Sequence, residues 1–290
     1  MQAISPFELD GVKRASLPVL IAAPHGGRDY PAVDVARFRD PENDPIRLED
    51  RLVDILARDI AHATGSALLI ARAPRATIDL NRDPNDIDWG MIGGTRPLQT
   101  KAVVAAKGRA RSGLGLVPRR LGGKELWKGP LKPEELQRRI DTVHAPYHAA
   151  LHEALEALRS TYGTALLLDL HSMPPLGRGN PVQFVVGDRF GSSCATHLSY
   201  LVQDFFEERG RPVSRNRPYA GGYIIDRHGK PRRGIHAMQL EICRSLYLDE
   251  AGRCLTGRSV TIVRLIADLV RALADELFNM GQGGAREAAE

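Results

Sequence analysis

Short apolar runs alternate along this chain with longer stretches in which apolar residues recur every three or four positions. The short runs read as strands: Val19 to Ala23, Ala67 to Ala71, Leu166 to Leu170, Val182 to Val186 and Met238 to Ile242. Several are rich in Leu, Ile or Val with little alternation, as in central strands covered on both faces. The longer stretches read as helices over Leu48 to Ala63, Pro133 to Arg159, Cys194 to Glu208 and Ser259 to Phe278. Pro133 suits a first helical turn, with Glu134 and Glu135 beside the positive end of the helix dipole. Pro146 has no N–H to give to the helix and predicts a kink or a split there. Strand and helix in alternation predict an α/β fold. We expect one domain over residues 1–280 and a small, polar, fraying tail over 281–290. The stretch from Asp83 to Leu131 is rich in Gly, Pro and Arg and weakly periodic. A connection that long inside a compact domain is usually functional or disordered.

Composition narrows the class. The chain has 290 residues, enough to bury a full core. No apolar run approaches the roughly 20 residues that span a bilayer, and Met1 to Asp10 lacks a secretory pattern. A soluble, cytoplasmic protein without a membrane partner is expected. Cys194, Cys243 and Cys254 are odd in number and widely spaced, which argues against a disulfide framework or a cysteine zinc knot. The net charge of +5 suits anionic small molecules or nucleic acid and does not separate them. From Lys101 to Lys132 there are nine Lys or Arg and one acid, Glu125, so this loop is either solvated or a guide for a carboxylate.

Five constellations carry candidate chemistry. Pro24-His25-Gly26-Gly27 follows the first apolar strand directly, and ligands in α/β sheets sit outside the carboxyl ends of strands. A turn histidine with a satisfied hydrogen bond is the competing reading. Asp169-Leu170-His171-Ser172 ends another strand, where residues two apart share a face. His171 suits a metal ligand, and Asp169 suits the carboxylate that orients it; a buried pair holding a loop competes. Glu49-Asp50, near the start of the first long helix, offers the acid that completes a two-histidine zinc set with an open fourth position. An ordinary N-cap at Asp50 competes. Glu241, within Gln239-Leu240-Glu241-Ile242, is costly among apolar neighbours unless paired or functional. Burial would raise its pKa toward that of a general base; a salt bridge to Arg244 competes. In Asp79-Leu80-Asn81-Arg82, the Arg82 fork suits a substrate carboxylate, with Asn81 assisting.

Other patterns lead nowhere further. His144, His148 and His152 share a helical face, but Pro146 interrupts it and packing or solvated histidines fit better. His152-Glu153 opens like H-E-x-x-H, yet Glu156 closes it. There is no G-x-S-x-G elbow, P-loop or G-x-G-x-x-G fingerprint.

The order of the motifs is more specific than any one of them. P-H-x-G, an acidic pair, D-L-N-R, D-L-H-S and Q-L-E-I-x-R-x-L-Y together resemble the N-formylglutamate amidohydrolase family. Gly113-Leu114-Gly115 with Val117-Pro118-Arg119, Pro146-Tyr147-His148 and the glycine loop Ala220-Gly221-Gly222 extend the resemblance from about Pro18 to Asp249. It implies a fold akin to zinc carboxypeptidases (phosphorylase/hydrolase-like), a mixed sheet flanked by helices. It also implies one Zn2+ held by His25, His171 and Asp50, with Glu49 in reserve. Glu241 would be the catalytic carboxylate and Asp169 would support a metal ligand. Arg82, Asn81, Arg244 and Gly222 would bind the substrate, a small anionic N-acyl amino acid. Cys243 and Ser245 stand where Arg and Asp are expected, which bears on the substrate more than on the chemistry. The implied activity is hydrolysis of N-formyl-L-glutamate to formate and L-glutamate, by a monomer or homodimer. Another N-acyl amino acid hydrolase, or a carboxypeptidase-like enzyme, would use the same site. A nucleic-acid-binding protein is the alternative of another class, and it leaves the histidines and Glu241 unexplained.

Overall fold

The computed structural model describes residues 5–93, 109–177 and 181–287. In chain order the elements are β1 (Phe7–Asp10), β2 (Val19–Ala23), α1 (Ala32–Arg37), α2 (Asp44–Leu48), α3 (Val53–Thr64) and β3 (Ala67–Ala71). There follow β4 (Arg120–Leu121), β5 (Lys124–Glu125), α4 (Pro133–Arg139), α5 (Ala145–Tyr162), β6 (Ala165–Met173) and β7 (Phe184–Gly187). The last are α6 (Thr196–Glu207), β8 (Val213–Arg215), α7 (Tyr223–His228), β9 (Ile235–Cys243) and α8 (Arg258–Glu287).

Seven strands form one sheet in the order β1-β3-β2-β6-β9-β7-β8. The inner four, β3, β2, β6 and β9, run parallel. β1 is antiparallel to β3 at one edge, and β7 is antiparallel to β9 near the other. The result is a mixed sheet flanked by helices. Leu166, Leu168 and Leu170 of β6 join Val19 and Ile21 of β2 in a core under α3, α6 and α8. Ala165 and Leu167, with Leu20 and Ala22, face the other way and pack against Leu151, Leu155 and Leu158 of α5. Parallel strands need crossover helices on both faces, so every residue of β2, β3, β6 and β9 is buried.

Pro146 does not split its helix. The turn just before it widens into a π-helix over Ile140–His144, which absorbs the missing donor, and α5 continues to Tyr162. α8 runs to Glu287, past the expected end at Phe278 and into the stretch expected to fray. The long connection after Asp83 is not structureless where it is described. Leu116, Leu126, Trp127 and Leu131 pack with Phe38 and Ile78, and Trp127 stacks on Phe38 at 4.4 Å. The first part of the basic stretch, 101–108, lies outside the described residues, as do 288–290 of the tail. Among the described residues, no helix is long and apolar enough to cross a membrane.

Candidate active site

The site grows out of a change of residue type along two neighbouring strands. On the α5 side of the sheet, β6 presents Ala165 and Leu167, and β9 presents Ile235 and Ala237. With the same two-residue period, the next positions are Asp169 and His171 on β6 and Gln239 and Glu241 on β9. The register pairs Asp169 with Gln239 and His171 with Glu241. All four are buried.

His25 arrives from the turn after β2, the strand beside β6. That turn is squeezed. A Cβ on Gly26 would lie 2.7 Å from the Asp54 side chain, and one on Gly27 would lie 2.2 Å from the Ala73 carbonyl oxygen. Glycine is what lets the backbone approach so closely. Arg28 locks the turn by donating to the Gly26 carbonyl and, through both terminal nitrogens, to Asp54.

Asp50 sits between α2 and α3, its N–H donating to the His25 carbonyl at 3.0 Å. α3 begins after Leu52, and no side chain caps it, so the N-cap reading of Asp50 fails. The neighbouring Glu49 is engaged elsewhere, accepting from Tyr30 at 2.9 Å and Arg51 at 2.8 Å. The carboxylate that meets the histidines is Asp50.

Nδ1 of His171 lies 2.9 Å from Asp50 Oδ2, and Nδ1 of His25 lies 3.4 Å from the same oxygen. Each ring is held from behind by a second carboxylate. His25 Nε2 donates to Asp79 Oδ1 at 2.7 Å, and His171 Nε2 donates to Asp169 Oδ2 at 2.9 Å. A carboxylate behind each imidazole favours the tautomer with its proton on Nε2, which leaves the Nδ1 lone pair available to a metal. His25 Nδ1 is buried and has no hydrogen-bond partner among the described residues. One ligand atom each from His25, Asp50 and His171 falls within 4.8 Å of the others, a set able to hold a metal ion. Two imidazoles and one acid are a donor set of the kind that zinc hydrolases use.

The electrostatics suit a cation. Burial alone would raise the Asp50 carboxyl, but the imidazoles of His171 and His25 beside it outweigh burial and hold the group well below the usual carboxylate range. Burial likewise opposes a charged His171, yet Asp169 and Asp50 overcome it and push that imidazole well above its ordinary value. A site that concentrates protons this way has negative charge to offer a metal. Asp79 is also ionised: burial raises it, and Arg82 and Arg75 more than reverse the effect. Glu241 behaves differently. Burial dominates and raises it to about 7, with Asp50 adding to the rise and His171 opposing it.

This cradle opens into a cavity of about 300 Å³ whose wall includes Glu241, Tyr219 and five arginines, Arg47, Arg75, Arg82, Arg109 and Arg244. A family model for N-formylglutamate amidohydrolase matches residues 17–248. The chain belongs to the N-formylglutamate amidohydrolase family. N-formylglutamate deformylase of Pseudomonas aeruginosa is 31% identical over 84% of this chain and 86% of that enzyme. That of Pseudomonas putida is 32% identical over 81% and 83%. The crystal structure of N-formylglutamate amidohydrolase from Ralstonia eutropha JMP134 superposes with a TM-score of 0.83 at 34% identity, covering 94% of this chain and 99% of that one.

Arg82, Asn81, Arg244 and Gly222 also line this cavity. Arg82 has two donors already committed, Nε to the Leu114 carbonyl and Nη1 to the Asn81 carbonyl. Arg244 donates Nε to Ser172 Oγ and Nη2 to the Glu49 carbonyl, with Asp50 Oδ1 at 3.4 Å. It does not bridge to Glu241, whose Oε1 instead accepts from Gln239 at 2.7 Å. Asn81 is spoken for: its Oδ1 accepts the Ile224 N–H and its Nδ2 donates to Gln239. Gly222 makes room for it, since a Cβ there would lie 2.3 Å from Asn81 Oδ1.

Sequence reasoning missed Asp79 and Arg75. Asp79 was visible as the first residue of D-L-N-R, but nothing in the pattern said that it backs His25. Arg75 lies in an irregular segment with no periodic signal. Its Nε donates to Asp79 Oδ2 at 3.0 Å, the only hydrogen bond that it makes among the described residues, so its two terminal nitrogens are uncommitted.

Proposed function

We propose that this chain is a zinc-dependent amidohydrolase of N-acyl amino acids, with N-formyl-L-glutamate as its type substrate and formate and L-glutamate as products. The observation that carries the reading is a buried carboxylate poised near neutrality, Glu241, beside a two-histidine, one-aspartate set in an arginine-lined cavity. The names of the Pseudomonas relatives support the substrate.

His25, His171 and Asp50 would hold the zinc, which when bound would supply Lewis acidity toward a water and an amide carbonyl. Glu241 does the proton work. Its Oε1 is occupied by Gln239, so Oε2 takes the proton from the attacking water. As the C–N bond breaks, the same oxygen gives that proton to the leaving amine. A base near pH 7 is half ionised at working pH, which favours transfer in both directions. Arg82, Arg75 and Arg244 orient the substrate through its carboxylates; the rigid guanidinium fork fixes attack geometry. A substrate with two carboxylates matches a wall with more guanidiniums than acids.

The test pairs metal analysis of purified protein with a panel of N-formyl, N-acetyl and peptide substrates. Stoichiometric zinc and preference for N-formyl-L-glutamate are expected. Preference for an acetyl or peptide substrate would reassign the pocket and keep the chemistry. A protein without metal and without hydrolysis on any of them would overturn the reading.

A further inference from the structure

Behind the turn that carries Asp79, Asn81 and Arg82 lie three buried histidines that the reaction does not use. His144 closes the π-helical turn, His148 follows in the first turns of α5, and His228 ends α7. They are 2%, 0% and 4% exposed. Their proton positions follow from their partners. A backbone carbonyl only accepts, so His148 Nε2 donates to the Leu80 carbonyl at 3.0 Å and His144 Nε2 donates to the Arg82 carbonyl at 2.9 Å. With its proton on Nε2, neutral His148 offers a lone pair at Nδ1. His228 Nε2 lies 2.9 Å away and donates to it, with the two rings parallel to within 3°. Burial above all holds His148 down to about 2 and His228 down to about 3. The chain His228 to His148 to Leu80 is therefore a relay of neutral groups with one allowed proton arrangement.

The turn is gripped at both carbonyls that flank Asn81. Its own groups then face forward. Asp79 Oδ1 accepts the Asn81 N–H at 2.9 Å and the proton of His25 Nε2, while Arg82 enters the cavity wall. A shift of this turn moves the carboxylate that fixes His25 and the guanidinium beside the substrate together. We propose that His228, His148 and His144 form a neutral brace, and that His148, by fixing the Leu80 carbonyl, sets the cation affinity of the His25–Asp50–His171 set and the substrate affinity of Arg82. His148 is thus a positioning residue. The cation half of the proposal stands on geometry alone; the substrate half rests on the function proposed above.

The test compares His148→Leu, which keeps the bulk and loses the donor, with His148→Gln, whose amide Nε2 keeps a donor toward Leu80. Zinc affinity of metal-depleted protein is measured by chelator competition, and KM and kcat on N-formyl-L-glutamate. We expect His148→Leu to weaken zinc binding about 10–100-fold, the usual cost of disturbing groups behind a metal ligand, and to raise KM more than it lowers kcat. His148→Gln should restore both toward the parent. If His148→Leu does not fold, 15N–1H correlation spectra of the parent protein's imidazoles decide: all three histidines should be neutral with the proton on Nε2. A proton on His148 Nδ1, unchanged zinc affinity in the Leu variant, or a Gln variant as impaired as the Leu variant would overturn the brace. Altered zinc affinity in a protein that never turns over N-formyl-L-glutamate would uphold the brace and sink only the substrate reading.

Discussion

Replacing Glu241 by Gln should make the protein inactive and more stable at once. The substitution keeps the volume and leaves Oε1 to accept from Gln239, so the packing of β9 is undisturbed. What it removes is a buried ionisable group. Burial raises Glu241 from its ordinary 4.5 to about 7. At about 1.4 kcal/mol per pH unit, that rise corresponds to roughly 3 kcal/mol. The sign follows from linkage. Below pH 4.5 the carboxyl is protonated in both folded and unfolded chains, and no penalty exists. Between 4.5 and about 7 only the unfolded chain ionises, so the folded state loses stability as pH rises. Above 7 the loss is complete and constant. In the metal-free protein, Glu241→Gln should therefore match the parent near pH 4 and exceed it by up to about 3 kcal/mol at pH 8. Denaturant unfolding at both pH values reads this out. Turnover at pH 8 should fall by about 10²–10⁴-fold, the range for removing a general acid–base, with zinc retained. Full turnover in a zinc-loaded Gln variant would remove Glu241 from the reaction. A stability difference that does not grow between pH 4 and pH 8 would refute the burial argument.

Further outcomes follow from the same geometry. His25→Ala or His171→Ala should leave purified protein with little zinc by elemental analysis, and excess zinc should not restore the parent rate. Chelation should abolish activity, and zinc added back should recover it. Arg82→Lys and Arg75→Lys, which lose the planar fork, should each raise KM about tenfold or more in steady-state kinetics. Gly27→Ala places a methyl 2.2 Å from the Ala73 carbonyl oxygen, so it should lower the thermal midpoint and zinc affinity together.

Legibility in the sequence followed burial. β2 and β3 end where their apolar runs end, because strands covered on both faces have no polar positions to blur them. β1 and β8 escaped notice, since an edge strand of three or four half-exposed residues carries no hydrophobic signature. The two candidate histidines were legible because each follows an apolar strand, where a polar residue needs a reason. Asp50 was harder, as it lies in an irregular link whose direction no period dictates. The carboxylates behind the histidines were hardest. Asp79 reaches His25 across fifty-four positions of chain, and such a contact is a property of the folded crossover alone. His144 and His148 pack as expected, while His152 on the same face is exposed.

His171 and Glu241 are neighbours across two adjoining parallel strands, so their spacing is a lattice constant of the sheet, about 4.8 Å. No loop has to close to bring them together. The guanidiniums, by contrast, ride on connections such as the segments around Arg82 and Arg109. His171 and Glu241 thus sit on central strands of the sheet, and several of the guanidiniums on its connections. On the function proposed above, insertions or exchanges in those connections would retune which acyl amino acid is accepted and leave the strand-borne pair as it was.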